Sequence, residues 1–347
     1  MRALQFQASQ TMALADLPTP EIGPGEVLCD VVVAGICGTD LKIARGEHRL
    51  FPQGTERVPG HELVGRVREN RSDDPGLAPG TLVVVAPNMA CGKCVACSVG
   101  RGNVCLNYES IGLTVDGAFA ETVRIPRRAV EQGNLIPVPD GLEPEVAVLM
   151  EPLAAVLHGL RALDVAADDS VLVFGAGPIG LLAVVLARQL GAGKILVSQT
   201  SAGRRELALR FGADVAIDPR AEDLLQRVRD ETGERGADAV VVATPAHAVY
   251  PQALEAAAIG GRINYFAGLP SSDSVVGLDA NLVHYRELRV TGTTANSTQD
   301  CLDALDILAN HPEDYRRFVT HRFALADIEE AFRVSAEGAA LKAVVVS

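Results

Sequence analysis

Tryptophan is absent from these 347 residues, and aromatic side chains make up only 4% of them. Base-stacking platforms and aromatic carbohydrate-binding faces are therefore not expected. Positive charge is also in short supply: 31 Lys and Arg against 44 Asp and Glu leave a net charge of −13 and a pI near 5.0. Nucleic-acid phosphates and anionic lipid repel such a chain, so neither is an expected partner. A secretory leader is not expected, because the opening MRALQF has neither an apolar core nor a cleavage site. The longest run without charge, 170–187, carries Gly-Ala-Gly-Pro in its middle. It reads as strand, turn and helix rather than as a membrane span. These absences together predict a soluble, cytoplasmic protein.

What the chain does have is an ordinary globular composition, 48% apolar and 22% charged, with 33 glycines for tight turns. Its length suits two domains better than one core. The pattern changes character near residue 150. Before it, short strands are expected at 27–34, 62–69, 82–86 and 118–125, bounded by Gly and Pro and without long helical periods between them. After it, strands at 171–174, 194–198, 214–217, 238–243, 262–266 and 287–291 alternate with helices at 179–190, 202–211 and 222–231. Such alternation predicts parallel strands in a doubly wound sheet, and six of them make the two halves of a dinucleotide-type (Rossmann) fold. The tail after about residue 295 predicts a helix at 300–310 and a terminal strand at 343–346 that rejoins the first domain.

Seven cysteines are an odd number, and four of them form Cys91-x2-Cys94-x2-Cys97-x7-Cys105. That clustering favours a metal over a disulfide framework. Four thiolates on a short loop can wrap one tetrahedral zinc, and a site closed by four sulfurs holds shape without reacting. A nucleic-acid-binding zinc ribbon is disfavoured by the acidic charge and by the lack of a basic stretch. A second, mixed set consists of Cys37 in Gly-Ile-Cys-Gly-Thr-Asp, His61-Glu62 after Pro59-Gly60, and Glu151 in Met-Glu-Pro-Leu. One thiolate, one imidazole and one or two carboxylates suit a catalytic zinc with an exchangeable water. Their separation along the chain does not by itself bring them together.

Gly175-Ala176-Gly177-Pro178-Ile179-Gly180 follows an apolar strand and opens an apolar helix, the context a dinucleotide fingerprint requires. The first glycine makes the turn, the second admits the pyrophosphate and the third packs helix on strand, with the anion at the helix N-terminus. The acidic residue that would bind a ribose is missing, and the second strand runs out as Ser198-Gln199-Thr200-Ser201. These groups, with Arg204 and Arg205, favour NADP. An NAD ribose hydrogen-bonded by Gln199 is the alternative.

With these features in this order, the chain resembles the zinc-dependent medium-chain dehydrogenase/reductase family of alcohol and polyol dehydrogenases over essentially its whole length. The matching residues are Gly-Ile-Cys37-Gly-Thr-Asp, Gly60-His61-Glu62, the four-cysteine lobe and 175–180. Glu151-Pro152-Leu153 looks like the sorbitol and threonine dehydrogenase branch. The resemblance implies a GroES-like β-rich catalytic domain over 1–150, completed by 295–347, and a Rossmann domain over 151–294. It implies two zinc ions per chain. The catalytic ion falls to Cys37, His61 and either Glu62 or Glu151, with the other glutamate near the exchangeable water. Thr39 would pass the proton outward, and Asp40 would brace His61. Relatives are homodimers or homotetramers.

Two departures from the family pattern stand out. Lys42 stands where many relatives place the outer histidine of a proton relay, and Ala295-Asn296 replaces the Arg-Tyr pair with which sorbitol dehydrogenases hold their polyol. The expected activity is zinc-assisted hydride transfer between NAD(P) and a secondary alcohol of a polyol, sugar or cyclitol. The alternatives are a threonine-type amino-alcohol dehydrogenase and, from another class, a non-catalytic nucleotide-binding protein. Cys29 and Cys301 read as buried packing residues, and His48 as a loop residue that could touch substrate.

Overall fold

The computed structural model describes residues 1–7, 11–270 and 272–346. Its contacts divide the chain into two units, Met1–Ala154 with Ala295–Ser347, and Ala155–Thr294.

The first unit is built on a seven-stranded, mostly antiparallel sheet. Its central strands, Val27–Gly35 and Glu62–Asn70, pair antiparallel with Gly35 opposite Glu62. The C-terminal strand Lys342–Val346 pairs antiparallel with Val27–Gly35 on its other edge, setting Val344 opposite Gly35. The tail thus closes a sheet begun some 300 residues earlier, with its Val344 and Val345 buried. Hydrophobic alternation along these strands fills a core containing Val27, Val31, Leu63, Val85, Phe119 and Ile328.

The expected strand over 118–125 begins only at Thr122. The four residues before it are used otherwise: the Ala118 N–H donates to Gly60 O at 2.9 Å and the Phe119 N–H to Pro59 O at 3.1 Å. They clamp the turn that leads into His61. Gly60 holds φ at 103°, and a Cβ there would stand 2.9 Å from Phe119 N, so only glycine fits. An opening hairpin, Arg2–Phe6 with Met12–Asp16, was not anticipated because its second strand, Met-Ala-Leu-Ala-Asp, has no strong β-formers.

The second unit is a six-stranded sheet in the order Val215–Ile217, Lys194–Ser198, Ser170–Phe174, Ala237–Val242, Ala257–Tyr265, Arg289–Gly292, with every pairing parallel. Numbered along the chain this is 3-2-1-4-5-6, the doubly wound order whose reversal point lies beside the first strand. Ser170–Phe174 is buried throughout, as a central parallel strand covered on both faces must be. Among the described residues, no helix is long and apolar enough to cross a membrane.

Candidate metal centres and cofactor turn

The four cysteines of the 91–105 loop meet. Their Sγ separations include 3.4 Å for Cys94 to Cys97, 3.8 Å for Cys94 to Cys105 and 4.0 Å for Cys91 to Cys97. Sulfurs at the corners of a tetrahedron with bonds of about 2.3 Å would lie about 3.8 Å apart, so the loop fits zinc as it stands. Main-chain and side-chain N–H groups point at the sulfurs: Cys91 N and Asn107 N at Cys105 Sγ (3.1 and 3.3 Å), and Asn107 Nδ2 at Cys91 Sγ (3.6 Å). Donors of this kind, led by the Lys93 N–H, pull the Cys91 thiol down to about 5, while desolvation and the neighbouring sulfurs push Cys97 up to about 11. Two strands seal the base of the loop, with Asn88 opposite Ser110.

The mixed set also converges, although its members come from separate strands. The donor atoms of Cys37, His61 and Glu62 all lie within 4.8 Å of one another. Cys37 lies two residues past the Val27–Gly35 strand and caps the short helix Gly38–Ala44. Its N–H donates to Asp40 Oδ2 at 2.8 Å. The other oxygen of Asp40 faces His61 Nδ1 at 3.5 Å, too long for a hydrogen bond, and both atoms are buried without a partner. Burial alone would lower the His61 pKa, but the charges of Asp40 and Cys37 lift it well above the ordinary value. An imidazole that close to a thiol and two carboxylates competes for one cation, and the set fits a zinc ion by its donor chemistry.

A buried lysine, unforeseen in the sequence, completes the site. Lys342 Nζ lies 2.7 Å from both oxygens of Glu62 and 3.2 Å from Ile36 O, and the lysine is 4% exposed. Gly35 makes room for the pair: a Cβ there would stand 2.0 Å from Glu62 Oε2. The only sequence signal was a charge at the head of an otherwise apolar terminal strand, LKAVVV.

Glu151 lies apart from the three-residue group, at the start of the helix Met150–Arg161. Its Oε1 accepts from Asn296 Nδ2 at 2.9 Å, and desolvation of its carboxyl raises its pKa. Asn296, singled out in the sequence as a departure from the polyol-binding pair, therefore holds a carboxylate. Cys301, expected to be inert packing, also has a polar partner: its Sγ lies 3.4 Å from Asn296 Oδ1. Thr39 is half-buried, Lys42 is exposed, and half-buried His48 accepts from Leu50 N at 3.4 Å.

In the second unit, Gly175 turns at φ 99° and a Cβ on Gly180 would stand 1.8 Å from Gly175 O, which makes the third glycine obligatory for packing the helix Pro178–Gln189. Over Gly177 the space is open, the nearest atom to a Cβ there being Arg204 Nη1 at 3.8 Å. Ser198 is the buried end of its strand, and its carbonyl accepts the Gly175 N–H at 2.9 Å. Gln199 folds back to accept from Ser201 N and the Thr200 hydroxyl. Arg205 is committed elsewhere: it donates to the Gln199 and Thr200 carbonyls and pairs with Asp218 at 3.0 Å. Arg220, which sequence spacing did not reach, joins the same carboxylate and donates to Thr200 O. Arg204 has no hydrogen bond or ion pair among the described residues.

Comparison with known proteins agrees with this geometry. The alcohol dehydrogenase GroES-like domain profile matches residues 23–140, and the zinc-binding dehydrogenase profile matches 178–310. The chain is 34% identical over 94% of its length to L-threonine 3-dehydrogenase of Pyrococcus abyssi (strain GE5 / Orsay), covering 92% of that protein. Among solved structures, a chain of Sinorhizobium meliloti 1021 described as a zinc-binding dehydrogenase and bound to NADP superposes with a TM-score of 0.91. It is 31% identical, and the match covers 100% of this chain and 99% of that one. Alcohol dehydrogenase TADH from Thermus sp. ATN1 superposes with a TM-score of 0.90 at 31% identity, with coverages of 100% and 99%. The chain belongs to the zinc-dependent medium-chain dehydrogenase/reductase family, and it is an oxidoreductase that acts on CH–OH groups.

Proposed function

We propose that this enzyme oxidises a secondary alcohol of a neutral, polyhydroxylated substrate, with NADP preferred over NAD and zinc at both cysteine-containing sites. The observation that carries the reading is the convergence of Cys37, His61 and Glu62 within 4.8 Å. Bound zinc supplies Lewis-acid stabilisation of developing negative charge, and the nicotinamide supplies the hydride acceptor. The chain's own residues do the rest. Asp40 fixes the Cys37 main chain and faces His61, Thr39 offers a hydroxyl to carry the alcohol's proton outward, and Lys342 holds the Glu62 side chain in place through both of its oxygens. Glu151 then stands toward the exchangeable position rather than among the three converging donors. A neutral substrate is favoured because the buried cation, Lys342, is already neutralised by Glu62. The second reading, a threonine-type amino alcohol, draws on the Pyrococcus relative. Rates of NAD(P) reduction with a panel of polyols, sugars, cyclitols and 2-amino-3-hydroxy acids separate the two; turnover confined to the amino alcohols would reverse the order.

The NADP preference rests on two guanidinium groups, Arg205 and Arg220, set against the single carboxylate of Asp218, with Arg204 free beside Gly177. Arg204→Ala should raise the KM for NADP roughly tenfold, the loss of one charge-assisted bond, and leave that for NAD unchanged. Equal KM changes for both cofactors would remove the 2′-phosphate role. We further assign a cytoplasmic, reducing setting, which keeps the thiols available to metal, and a homodimeric or homotetrameric state. Support for assembly comes from the unpaired edge of Arg289–Gly292 and from Val95, Val99 and Leu106 on the four-cysteine loop, which are 69%, 67% and 71% exposed. Sedimentation analysis tests it.

A further inference from the structure

A chain of side-chain hydrogen bonds runs from the base of the four-cysteine loop to Glu151, within one unit of the protein. The Tyr108 hydroxyl lies 2.5 Å from Asn88 Oδ1, Asn88 Nδ2 lies 2.8 Å from Asn296 Oδ1, and Asn296 Nδ2 lies 2.9 Å from Glu151 Oε1. The direction of every link is fixed by the last one. Asn296 Nδ2 also reaches the Glu151 carbonyl, at 3.2 Å, so its amide nitrogen must face two acceptors and its oxygen must face Asn88. Asn88 must then turn its nitrogen toward Asn296, which leaves its own oxygen for Tyr108, and the tyrosine must donate. Asn296 is 1% exposed, so solvent cannot replace a missing partner there. A second amide link runs alongside: Asn134 Nδ2 donates to the Asn88 carbonyl at 2.8 Å while its Oδ1 accepts from Thr298 at 2.9 Å.

The upstream end of this chain is anchored by the cysteine loop. Asn88 stands three residues before Cys91 and Tyr108 three after Cys105, and the strands Asn88–Met89 and Glu109–Ser110 pair across the loop's base. Whatever draws the four sulfurs together therefore holds Asn88 and Tyr108 in register.

We propose that Tyr108, Asn88 and Asn296 are positioning residues that transmit occupancy of the four-cysteine site to the Glu151 carboxylate, so that the ion in the closed site sets the geometry of the open one. The proposal rests on the metal reading of the Cys37 site, and it assigns Asn296 a task at the carboxylate in place of holding a polyol.

The test uses full-length enzyme with zinc in the four-cysteine site and cobalt(II) in the Cys37 site, read by the visible absorption of the cobalt. Tyr108→Phe and Asn296→Leu should each shift the cobalt bands and lower kcat/KM by roughly five- to tenfold, the effect of one buried hydrogen bond, with Tyr108→Phe leaving Tm near that of the parent. Because the links act in series, the double variant should be no worse than Asn296→Leu alone. Cys94→Ser should reproduce the band shift; should it fail to fold, the Tyr108→Phe result decides. Unmoved cobalt bands in Tyr108→Phe, or additive losses in the double variant, would overturn the coupling while leaving the metal site intact. Failure of cobalt to bind at Cys37 would instead overturn the metal reading and the coupling with it.

Discussion

The two cysteine-containing clusters belong to the same unit, yet they are made in opposite ways. The four-cysteine site is local: all its donors lie in residues 91–105, three of the four are only half-buried, and the N–H groups that face the sulfurs come from that loop or the two residues after it. The mixed site is assembled by topology. Cys37 and His61-Glu62 meet because their strands are antiparallel neighbours, and Lys342 joins them because the C-terminal strand adds to the far edge of the first. The local site can form wherever its loop forms, whereas the assembled site exists only when the sheet is complete. Substitutions in the first site should therefore fall mainly on stability, with only the modest catalytic loss that its link to Glu151 carries, and those in the second mainly on chemistry.

Single substitutions can break that contrast. Cys37→Ser should lower kcat/KM on the order of 10³-fold, because weakened metal binding forfeits several kcal/mol of charge stabilisation, while cofactor affinity stays near the parent value. Cys97→Ser should do the reverse in emphasis, lowering Tm by about 10 °C through lost metal-linked folding energy. Differential scanning calorimetry and steady-state kinetics on both variants decide it. If the two proteins lost activity and stability in the same proportion, the division between a shape-holding site and a reacting one would fail. Metal analysis should return two zinc ions per chain in the parent and one in each variant.

Lys342→Met tests the assembled site from its far side. It leaves the fully buried Glu62 carboxylate without its cation, and breaking a buried ion pair by removing one partner destabilises by about 3–5 kcal/mol. Pairing it with Glu62→Gln should recover much of the stability, since the uncompensated charge is then gone. No recovery in urea unfolding would mean that Lys342 acts through its stem and its bond to Ile36 O rather than through charge.

The difference between the clusters also explains what could be read from the chain beforehand. C-x2-C-x2-C-x7-C is a short-range pattern, and the glycine turn is flanked by its own strand and helix, so both were legible from spacing. The alternation after residue 170 gave the parallel sheet because each strand and its helix are contiguous. Cys37, His61 and Glu62 were recognisable as donor types, but their meeting depends on register between strands, which spacing does not encode. Lys342 was invisible for the same reason, acting on Glu62 through a strand pairing 280 residues away, and Arg220 because its contact with the Thr200 carbonyl spans 20 residues across a βαβ unit. Asn296 was noticed for what it replaced, and its hydrogen bonds give it a different task.

Acid provides the smallest and most graded test of the contrast. In the metal-free mixed site, the His61 pKa is raised, so below that value the imidazole is protonated and an incoming zinc must displace a proton. Below that raised value, displacing the imidazole proton should add a further loss of zinc affinity of about tenfold for each pH unit. In the four-cysteine site, Cys97 is pushed up to about 11, so the release of its proton contributes a steady slope across neutral pH, whereas Cys91 stays a thiolate until about 5. The Cys94 thiol is lowered as well, by the N–H groups of Cys97 and Leu106. Acidification should thus show a change of slope for one zinc of the two. Activity should be lost in step with that ion, while Tm and the second zinc hold until near pH 5. Zinc release followed with a chromophoric chelator, alongside turnover, gives the two curves directly. Superimposable release of both ions would mean that the sites share one acid-sensitive step, and the imidazole would no longer distinguish the reacting site from the one that holds shape.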